Sequence, residues 1–137
     1  MLTRRNFSAC AICAITGFAA TAVGEANAQA PAGLKRTILS KTEYPDSKYA
    51  TILVTVDIDA GAIVPRHTHP GVESAYVMEG VFELSVKGQP TRQVKAGEGF
   101  QVPAEVPHGG RNGDKPAKLV VTYVVDKDKP LASPAPE

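Results

Sequence analysis

Hydrophobic and polar residues alternate along several short stretches of this chain. In residues 51–58 four apolar side chains, at 52, 54, 56 and 58, share one face, and the threonine and aspartate side chains lie on the other; the alternation returns in residues 81–86 and 118–125. A period of two is the pattern of a strand buried on one side. The expected buried faces comprise Ile52, Val54, Val56, Ile58, Phe82, Leu84, Val86, Leu119, Val121, Tyr123 and Val125. The pattern predicts strands, and no stretch shows convincing helical periodicity.

Glycine-containing turn signals separate these strands at residues 79–80, 87–90 and 112–114. Glycine supplies the positive φ angles that tight hairpins need, so each signal predicts a reversal of direction. Roughly seven or eight short strands over about a hundred residues predict an all-β sandwich or barrel, and periodicity alone does not choose between them. The last residues, 126–137, are rich in proline and charge. They predict an extended or mobile tail, or one in which Pro130 and Pro134 brace a terminal strand.

The first 28 residues have the composition of a secretory signal peptide. A basic start is followed by a weakly apolar run and by small residues two apart at Ala26 and Ala28, so we expect cleavage before Gln29. The stretch TRRNF, residues 3–7, resembles the twin-arginine motif, whose pathway exports folded proteins, although an ordinary signal with paired arginines is the alternative. The expected location is periplasmic or secreted.

Charge and cysteine content exclude several classes of function for the remaining chain. Both cysteines, Cys10 and Cys13, lie in the signal segment, so no disulfide is expected in residues 29–137. Without Arg4, Arg5 and Glu25 the chain has 13 basic and 13 acidic residues. This balance, without a basic patch or charge run, predicts neither a nucleic-acid partner nor a membrane partner after cleavage.

The stretch RHTHPGVE, residues 66–73, carries the candidate chemistry. Residues two apart on a strand point to the same face, so His67 and His69 are expected to project side by side. A short turn then brings Glu73 onto the neighbouring segment. The third histidine of the chain, His108, follows two further glycine-flanked segments. If the strands close into a small barrel, all four side chains can converge inside it.

These residues resemble the two motifs of the cupin superfamily. The first motif is matched by Gly61, His67, His69, Glu73 and Gly80. The second is matched by Gly97, Pro103, His108 and Asn112, with Glu105 at the position where the family prefers glycine. That glycine serves a turn, so the departure concerns the local backbone and not the ligands.

The resemblance implies a single cupin domain, a double-stranded β-helix or jelly-roll barrel, over residues 29–137. The barrel itself would extend from about residue 34 to about residue 125. The resemblance also implies that His67, His69, Glu73 and His108 bind one divalent transition metal. Four such ligands leave open positions in an octahedral shell. Glu73 could instead act as a base beside the metal.

The metal is not determined by the ligands alone, because affinity by itself favours copper or zinc over manganese or iron. Export in the folded state would let the protein load manganese or iron inside the cell, so we expect one of these two. Nickel, copper and zinc are the alternatives.

Two functions are compatible with the resemblance. The first is a metal-dependent oxidoreductase, similar to the small cupin dioxygenases, that acts on a small organic molecule with Glu73 as its catalytic residue. The second is a binding module for a metal or small ligand without turnover, because fold and ligands do not determine a reaction. Cupins commonly form homodimers, and residues 34–39 could supply an exchanged strand.

Five residues are weaker candidates for the site. Arg66, Arg92 and Arg111 could bind a substrate carboxylate, but we expect them on the solvated surface. Tyr76 and Phe100 could be pocket walls, although aromatic residues in strands more often belong to the core.

Overall fold

The computed structural model describes residues 31–136, so the signal-peptide prediction lies outside the described part of the chain. These residues form strands joined by turns, which confirms the all-β expectation. The strands are β1 (Leu34–Glu43), β2 (Tyr49–Ile58), β3 (Ile63–Thr68), β4 (Gly71–Glu79), β5 (Val81–Val86), β6 (Arg92–Lys95), β7 (Gly99–Val102), β8 (His108–Asn112), β9 (Ala117–Asp126) and β10 (Ser133–Pro134). Residues 31–136 contain no helix long and apolar enough to cross a membrane.

Two five-stranded antiparallel sheets make up the fold. The first has the order β1-β2-β9-β4-β7, and the second has the order β10-β3-β8-β5-β6. Neighbours in a sheet are mostly distant in sequence, as in a jelly roll, where the chain passes repeatedly between two sheets. The strand β1 lies at the edge of the first sheet and pairs with β2 of the same chain.

The hydrophobic core lies between the two sheets and is built from the inward faces that the alternation predicted. Its buried members include Ile52, Val54, Ile58, Phe82, Leu84, Val86, Leu119, Val121, Tyr123 and Val125. Val56 is only partly buried but packs against the same cluster. Each of these strands has one face in the core, because side chains two apart point the same way.

Two turn residues, Gly80 and Glu105, have positive φ angles. Gly80 has a φ of 79°, and a Cβ at this position would collide with the carbonyl of Pro116. Glu105 has a φ of 61°, the left-handed conformation in which glycine is unstrained. The turn at Glu105 therefore keeps the shape that a glycine would favour, at the cost of backbone strain.

The C-terminal segment lies against the second sheet. Ser133 pairs with Thr68 and Pro134 pairs with His67, so a short terminal strand forms at the edge of β3. The side chain of Leu131 packs against the core. Of the two expectations for the tail, the described residues take the one in which Pro134 braces a strand.

Candidate metal centre

Three short segments bring the four predicted ligands together. His67 lies in β3 and His108 begins β8, and these two residues are direct partners across the strand pair. His69 follows β3 by one residue, and Glu73 lies on the inward face of β4. Their potential ligand atoms all lie within 4.8 Å of one another. His69, Glu73 and His108 are buried and His67 is partly buried, so the cluster lies largely inside the barrel.

One oxygen of Glu73 contacts two of the three histidines. Glu73 Oε2 is 3.0 Å from His69 Nε2 and 2.9 Å from His108 Nε2. His67 Nε2 is 3.1 Å from His69 Nε2. The three Nε2 atoms and one carboxylate oxygen therefore face a common point.

The other ring nitrogen of each histidine is held by a backbone carbonyl. His67 Nδ1 donates to Pro65 at 2.7 Å, His69 Nδ1 to Leu131 at 2.6 Å, and His108 Nδ1 to Val106 at 2.8 Å. A carbonyl can only accept a hydrogen bond, so each Nδ1 carries a proton and each neutral ring presents its lone pair at Nε2. Such outer hydrogen bonds fix the tautomer and orientation of metal-binding histidines.

This arrangement fits a bound cation. With neutral rings, the Nε2 atoms of His67 and His69 would present two lone pairs to each other at 3.1 Å. Two lone pairs at that distance require a proton or a metal ion between or beside them. Imidazole nitrogens and a carboxylate are suitable ligands for first-row divalent metals, so His67, His69, Glu73 and His108 could hold one metal ion.

Burial and the contacts within the cluster shift the pKa values of His67, Glu73 and His108. Burial lowers the pKa of His67 to about 4, so this ring is neutral at physiological pH. Burial alone would raise the pKa of Glu73, but hydrogen bonds and charges from His108 and His69 outweigh it and hold the pKa at about 2. Burial would lower the pKa of His108, but its hydrogen bond to Glu73 raises it overall. His108 Nε2 and Glu73 Oε2, which are 2.9 Å apart, can share a proton at a position that a metal could take.

A cavity of about 50 Å³ opens beside the cluster. One water needs roughly 10–15 Å³, so the cavity accepts a few water molecules or a ligand of a few non-hydrogen atoms. His67, Glu73 and His108 line its polar side, and the rest of the lining is mainly apolar. The apolar lining includes Val56, Ile58, Val64, Phe82, Leu84, Phe100, Leu119 and Val121.

Two polar residues of this cavity were not among the site candidates from the sequence. Arg36 lines it from β1, where it pairs with Val56. Tyr123, predicted only as part of a buried face, packs its ring 4.7 Å from that of His69. Burial, followed by the negative charge of Glu73, raises the pKa of Tyr123, so its hydroxyl stays protonated. The pairing of Glu73 with Tyr123 across β4 and β9 places the phenol here.

The five weaker candidates lie in different environments. Phe100 is buried and lines the cavity, whereas Tyr76 is 52% exposed and lies outside it, in the wall of an open depression on the outer face of the first sheet. Arg92 and Arg111 are exposed, as expected for surface residues. Arg66 differs from that expectation, because it is half-buried and its Nε atom is shielded from solvent without a hydrogen-bond partner.

Two motif residues have structural roles in the barrel. Asn112 is buried and its Nδ2 donates to the carbonyl of Ile58 at 2.8 Å, so it ties the end of β8 to the end of β2. The backbone N–H of Glu105 donates to the carbonyl of His69 at 2.9 Å. The turn at Glu105 thus supports the backbone of a ligand, which explains why the turn keeps its shape without glycine.

Comparison with known proteins agrees with the fold. The family model for the cupin domain matches residues 54–123. The chain is similar to the dimethylsulfoniopropionate lyase DddQ of Ruegeria pomeroyi, with 31% identity over 68 residues. That match covers 50% of this chain and 34% of the lyase, so this chain matches about a third of its relative's length.

Solved structures show the same fold. The crystal structure of DddQ from Ruegeria pomeroyi has a TM-score of 0.64 and 23% identity, covering 74% of this chain and 51% of that one. An RmlC-like cupin from Shewanella frigidimarina has a TM-score of 0.55 and 29% identity, covering 67% and 76%. An oxalate oxidase in complex with the substrate analogue glycolate has a TM-score of 0.59 and 26% identity, covering 76% and 61%. On the family match and these shared folds, the chain belongs to the cupin family.

Proposed function

We propose that this protein is a metal-dependent enzyme that acts on a small organic carboxylate inside the barrel. The observation that carries the proposal is the cluster of four potential ligand atoms, because three of its residues, His67, Glu73 and His108, also line a largely apolar cavity. A largely apolar pocket with a few convergent polar groups is typical of a small-molecule site. The volume of about 50 Å³ favours a substrate with only a few non-hydrogen atoms.

Different residues would bind the substrate and transfer protons. Arg36 lies in the cavity wall and would pair with a substrate carboxylate. The buried hydroxyl of Tyr123 would donate a hydrogen bond to a substrate oxygen. Glu73 is held ionised, so it can bind the cation and also accept a proton from a substrate. A bound metal would supply a Lewis acid with open positions for substrate, water or dioxygen.

The first reaction we propose is oxidation with dioxygen, in keeping with a small cupin oxidoreductase. The similarity to an oxalate oxidase, solved with the two-carbon acid glycolate, supports both this reaction and a small carboxylate substrate. The 31% identity to a dimethylsulfoniopropionate lyase supports a second candidate, an elimination in which Glu73 removes a proton. The two reactions differ in whether dioxygen is consumed.

Turnover of a defined panel tests the proposal. Metal-loaded protein would be incubated with oxalate, glycolate, dimethylsulfoniopropionate and the neutral analogue oxamide, with dioxygen consumption and products measured in parallel. We expect turnover of a carboxylate that disappears in the His69→Ala variant. We also expect Arg36→Gln to raise KM for that carboxylate, while Arg92→Gln leaves KM unchanged, because both arginines are exposed but only Arg36 lines the cavity.

Absence of turnover across the panel would favour the alternative, a module that binds a metal or a small ligand without reaction. That alternative predicts ligand binding with no change in the ligand. Calorimetry with glycolate on the metal-loaded protein would then separate a ligand-binding module from one that holds only metal.

Export and metal identity are linked in this proposal. Residues 1–28 support export to the periplasm or beyond, and the twin-arginine pattern supports export after folding. A protein that folds in the cytoplasm can acquire manganese or iron there, before it meets copper or zinc outside. Metal analysis of natively exported protein, beside protein refolded in the periplasm, tests this. The same copper or zinc content in both would contradict it.

A homodimer is also proposed, through the outer face of the first sheet. Val72, Tyr76, Met78 and Val124 are all partly exposed there, with 38–52% of their surface accessible. Neighbouring exposed apolar residues often mark an interface. Light scattering after size exclusion should give twice the chain mass, and Tyr76→Lys should shift the protein to a monomer. A monomeric wild-type chain would contradict this part of the proposal.

A further inference from the structure

The three histidine rings of the metal centre obtain their Nδ1 acceptors in different ways. For His67 and His108 the accepting carbonyl belongs to the residue two positions earlier, Pro65 and Val106. For His69 the acceptor is the carbonyl of Leu131, 62 residues away and 2.6 Å from Nδ1. Two of the rings are therefore oriented by their own segments, whereas the third depends on the C-terminal segment.

Three contacts hold this segment in place. The strand β10 pairs with β3 through Ser133 and Pro134. The backbone N–H of Ala135 donates to the carbonyl of Arg66 at 3.1 Å. The side chain of Leu131 packs against the hydrophobic core. The segment is thus attached at Leu131 itself and at the residues that follow it.

Loss of the segment would remove the only protein acceptor described at His69 Nδ1. The ring is 2% exposed with the segment in place, so its loss would open Nδ1 to water, which can accept the hydrogen bond but does not hold the ring in one orientation. The proton could move to Nε2, but that tautomer withdraws the lone pair that faces Glu73 and His67. Either outcome weakens His69 as a metal ligand.

We propose that residues 130–135 are a positioning element of the metal centre, in which the Leu131 carbonyl fixes the ring orientation and tautomer of His69. The inference rests on the metal binding of the proposed function, and not on any particular reaction. Removing an outer hydrogen-bond partner of a metal ligand typically weakens metal affinity by about 10–100-fold. The C-terminal segment would thus tune how tightly the barrel retains its metal.

Two truncated chains test the proposal. A chain ending at Lys129 lacks Leu131 and β10, whereas a chain ending at Ala135 keeps every contact described above. We expect the shorter chain to bind manganese about 10–100-fold more weakly by calorimetry and to lose it faster to a chelator. The longer chain should match the full chain. Equal affinity of both truncated chains would overturn the proposal.

Nitrogen-labelled histidine gives a readout specific to one ring. In the zinc-loaded protein, which is diamagnetic, the three Nδ1–H groups should give three slowly exchanging signals. Ending the chain at Lys129 should remove or shift the His69 signal and preserve those of His67 and His108, whose acceptors are local. Retention of the His69 signal would overturn the proposal, whereas wild-type protein that binds no metal would overturn the proposed function itself.

A milder pair of variants keeps the test valid if the shorter chain does not fold. Ala135→Pro removes the N–H that donates to Arg66, whereas Ala135→Ser retains it. We expect Ala135→Pro to weaken manganese binding several-fold and to broaden the His69 signal, with no effect of Ala135→Ser. Identical behaviour of the two variants would count against the proposal.

Discussion

Along the inward face of β4, Glu73 and Val77 lie four residues apart in two different environments. Glu73 pairs with Tyr123 across the sheet and contacts two histidines, whereas Val77 pairs with Leu119 and is fully buried among apolar side chains. Both positions obey the same alternation of a half-buried strand. One strand therefore contributes to a polar centre at one end and to the hydrophobic core at the other.

The two environments differ in what makes burial of their side chains favourable. Apolar side chains around Val77 are stabilised by leaving water, and they need no partner of particular chemistry. Around Glu73, buried nitrogens and oxygens face one another and need a proton or a metal ion. The apolar region should therefore contribute to stability with or without metal, while the polar region should do so mainly through the metal.

The largest expected effect comes from removing the charge of Glu73. Glu73→Gln keeps the size of the side chain but replaces the central anion, so we expect manganese affinity to fall by at least about 100-fold, more than for an outer partner. Calorimetry measures this directly. An affinity within a few-fold of wild type would show that Glu73 is not a ligand. The contrast between the polar end of β4 at Glu73 and its apolar end at Val77 would then not extend to metal binding.

Removal of metal should destabilise the protein at neutral pH and not in acid. Metal present at about 100 times its Kd stabilises a folded protein by about 2.7 kcal/mol. Protons compete with the metal for the histidine nitrogens. A histidine in the unfolded chain has a pKa near 6.5, whereas the pKa of His67 in the folded protein is about 4. The pKa of His67 is lowered on folding, so its favourable contribution is complete above pH 6.5 and is lost as pH falls towards 4.

Thermal unfolding with and without chelator, at pH 7.5 and at pH 4, measures this difference. We expect a lower Tm with chelator at pH 7.5 and no shift at pH 4. In the metal-free state, His67→Gln should flatten the loss of stability between pH 6.5 and 4. A chelator effect of equal size at both pH values would contradict the account.

A smaller effect, confined to stability, is expected at the apolar end of β4. Val77→Ala removes two buried methyl groups and leaves a cavity, which should cost roughly 2 kcal/mol in the free energy of unfolding. Manganese affinity should stay within about threefold of wild type. Urea unfolding of the metal-free variant, with calorimetry beside it, separates the two quantities. A large loss of affinity would mean that the two ends of β4 are coupled.

The smallest expected effect concerns the turn that supports His69. Glu105 has a φ of 61°, and Glu105→Gly should relieve its strain and raise the free energy of unfolding by up to about 1 kcal/mol. Asp46 also has a positive φ, of 54°, but aspartate tolerates it better, so Asp46→Gly should gain less. Urea unfolding measures the free energy of unfolding of both variants. An equal increase in the two would show that the backbone at Glu105 is no more strained than the backbone at Asp46.

Local spacing was sufficient to predict the buried faces and the shared direction of His67 and His69, whereas the full set with Glu73 and His108 came from the resemblance to the two family motifs. His67 and His69 share a face because of strand geometry, and the alternation in residues 51–58 and 118–125 identified most of the core. Glu105 was correctly identified as a turn position, since its backbone has the conformation that glycine prefers. The alternation and the His67–His69 pair are local signals, whereas the roles of His108 and of the turn at Glu105 came from the family motifs.

Some residues of the candidate site were not predicted from the sequence, because their positions depend on contacts between distant segments. Arg36 reaches the cavity only because β1 pairs with β2, and Leu131 reaches His69 only because the tail returns to β3. Tyr123 has the pattern of a core residue, and its pairing with Glu73 decides that its ring lies beside the histidines. Pairings of this kind leave no short-range signal in one sequence.

X-ray absorption spectroscopy of the manganese-loaded protein tests the central claim most directly. The account predicts about one manganese ion per chain, with imidazole scattering from about three histidines and additional oxygen ligands. His108→Ala should remove one imidazole from that spectrum. A spectrum without imidazole, or one unchanged by His108→Ala, would contradict a metal centre built from His67, His69, Glu73 and His108.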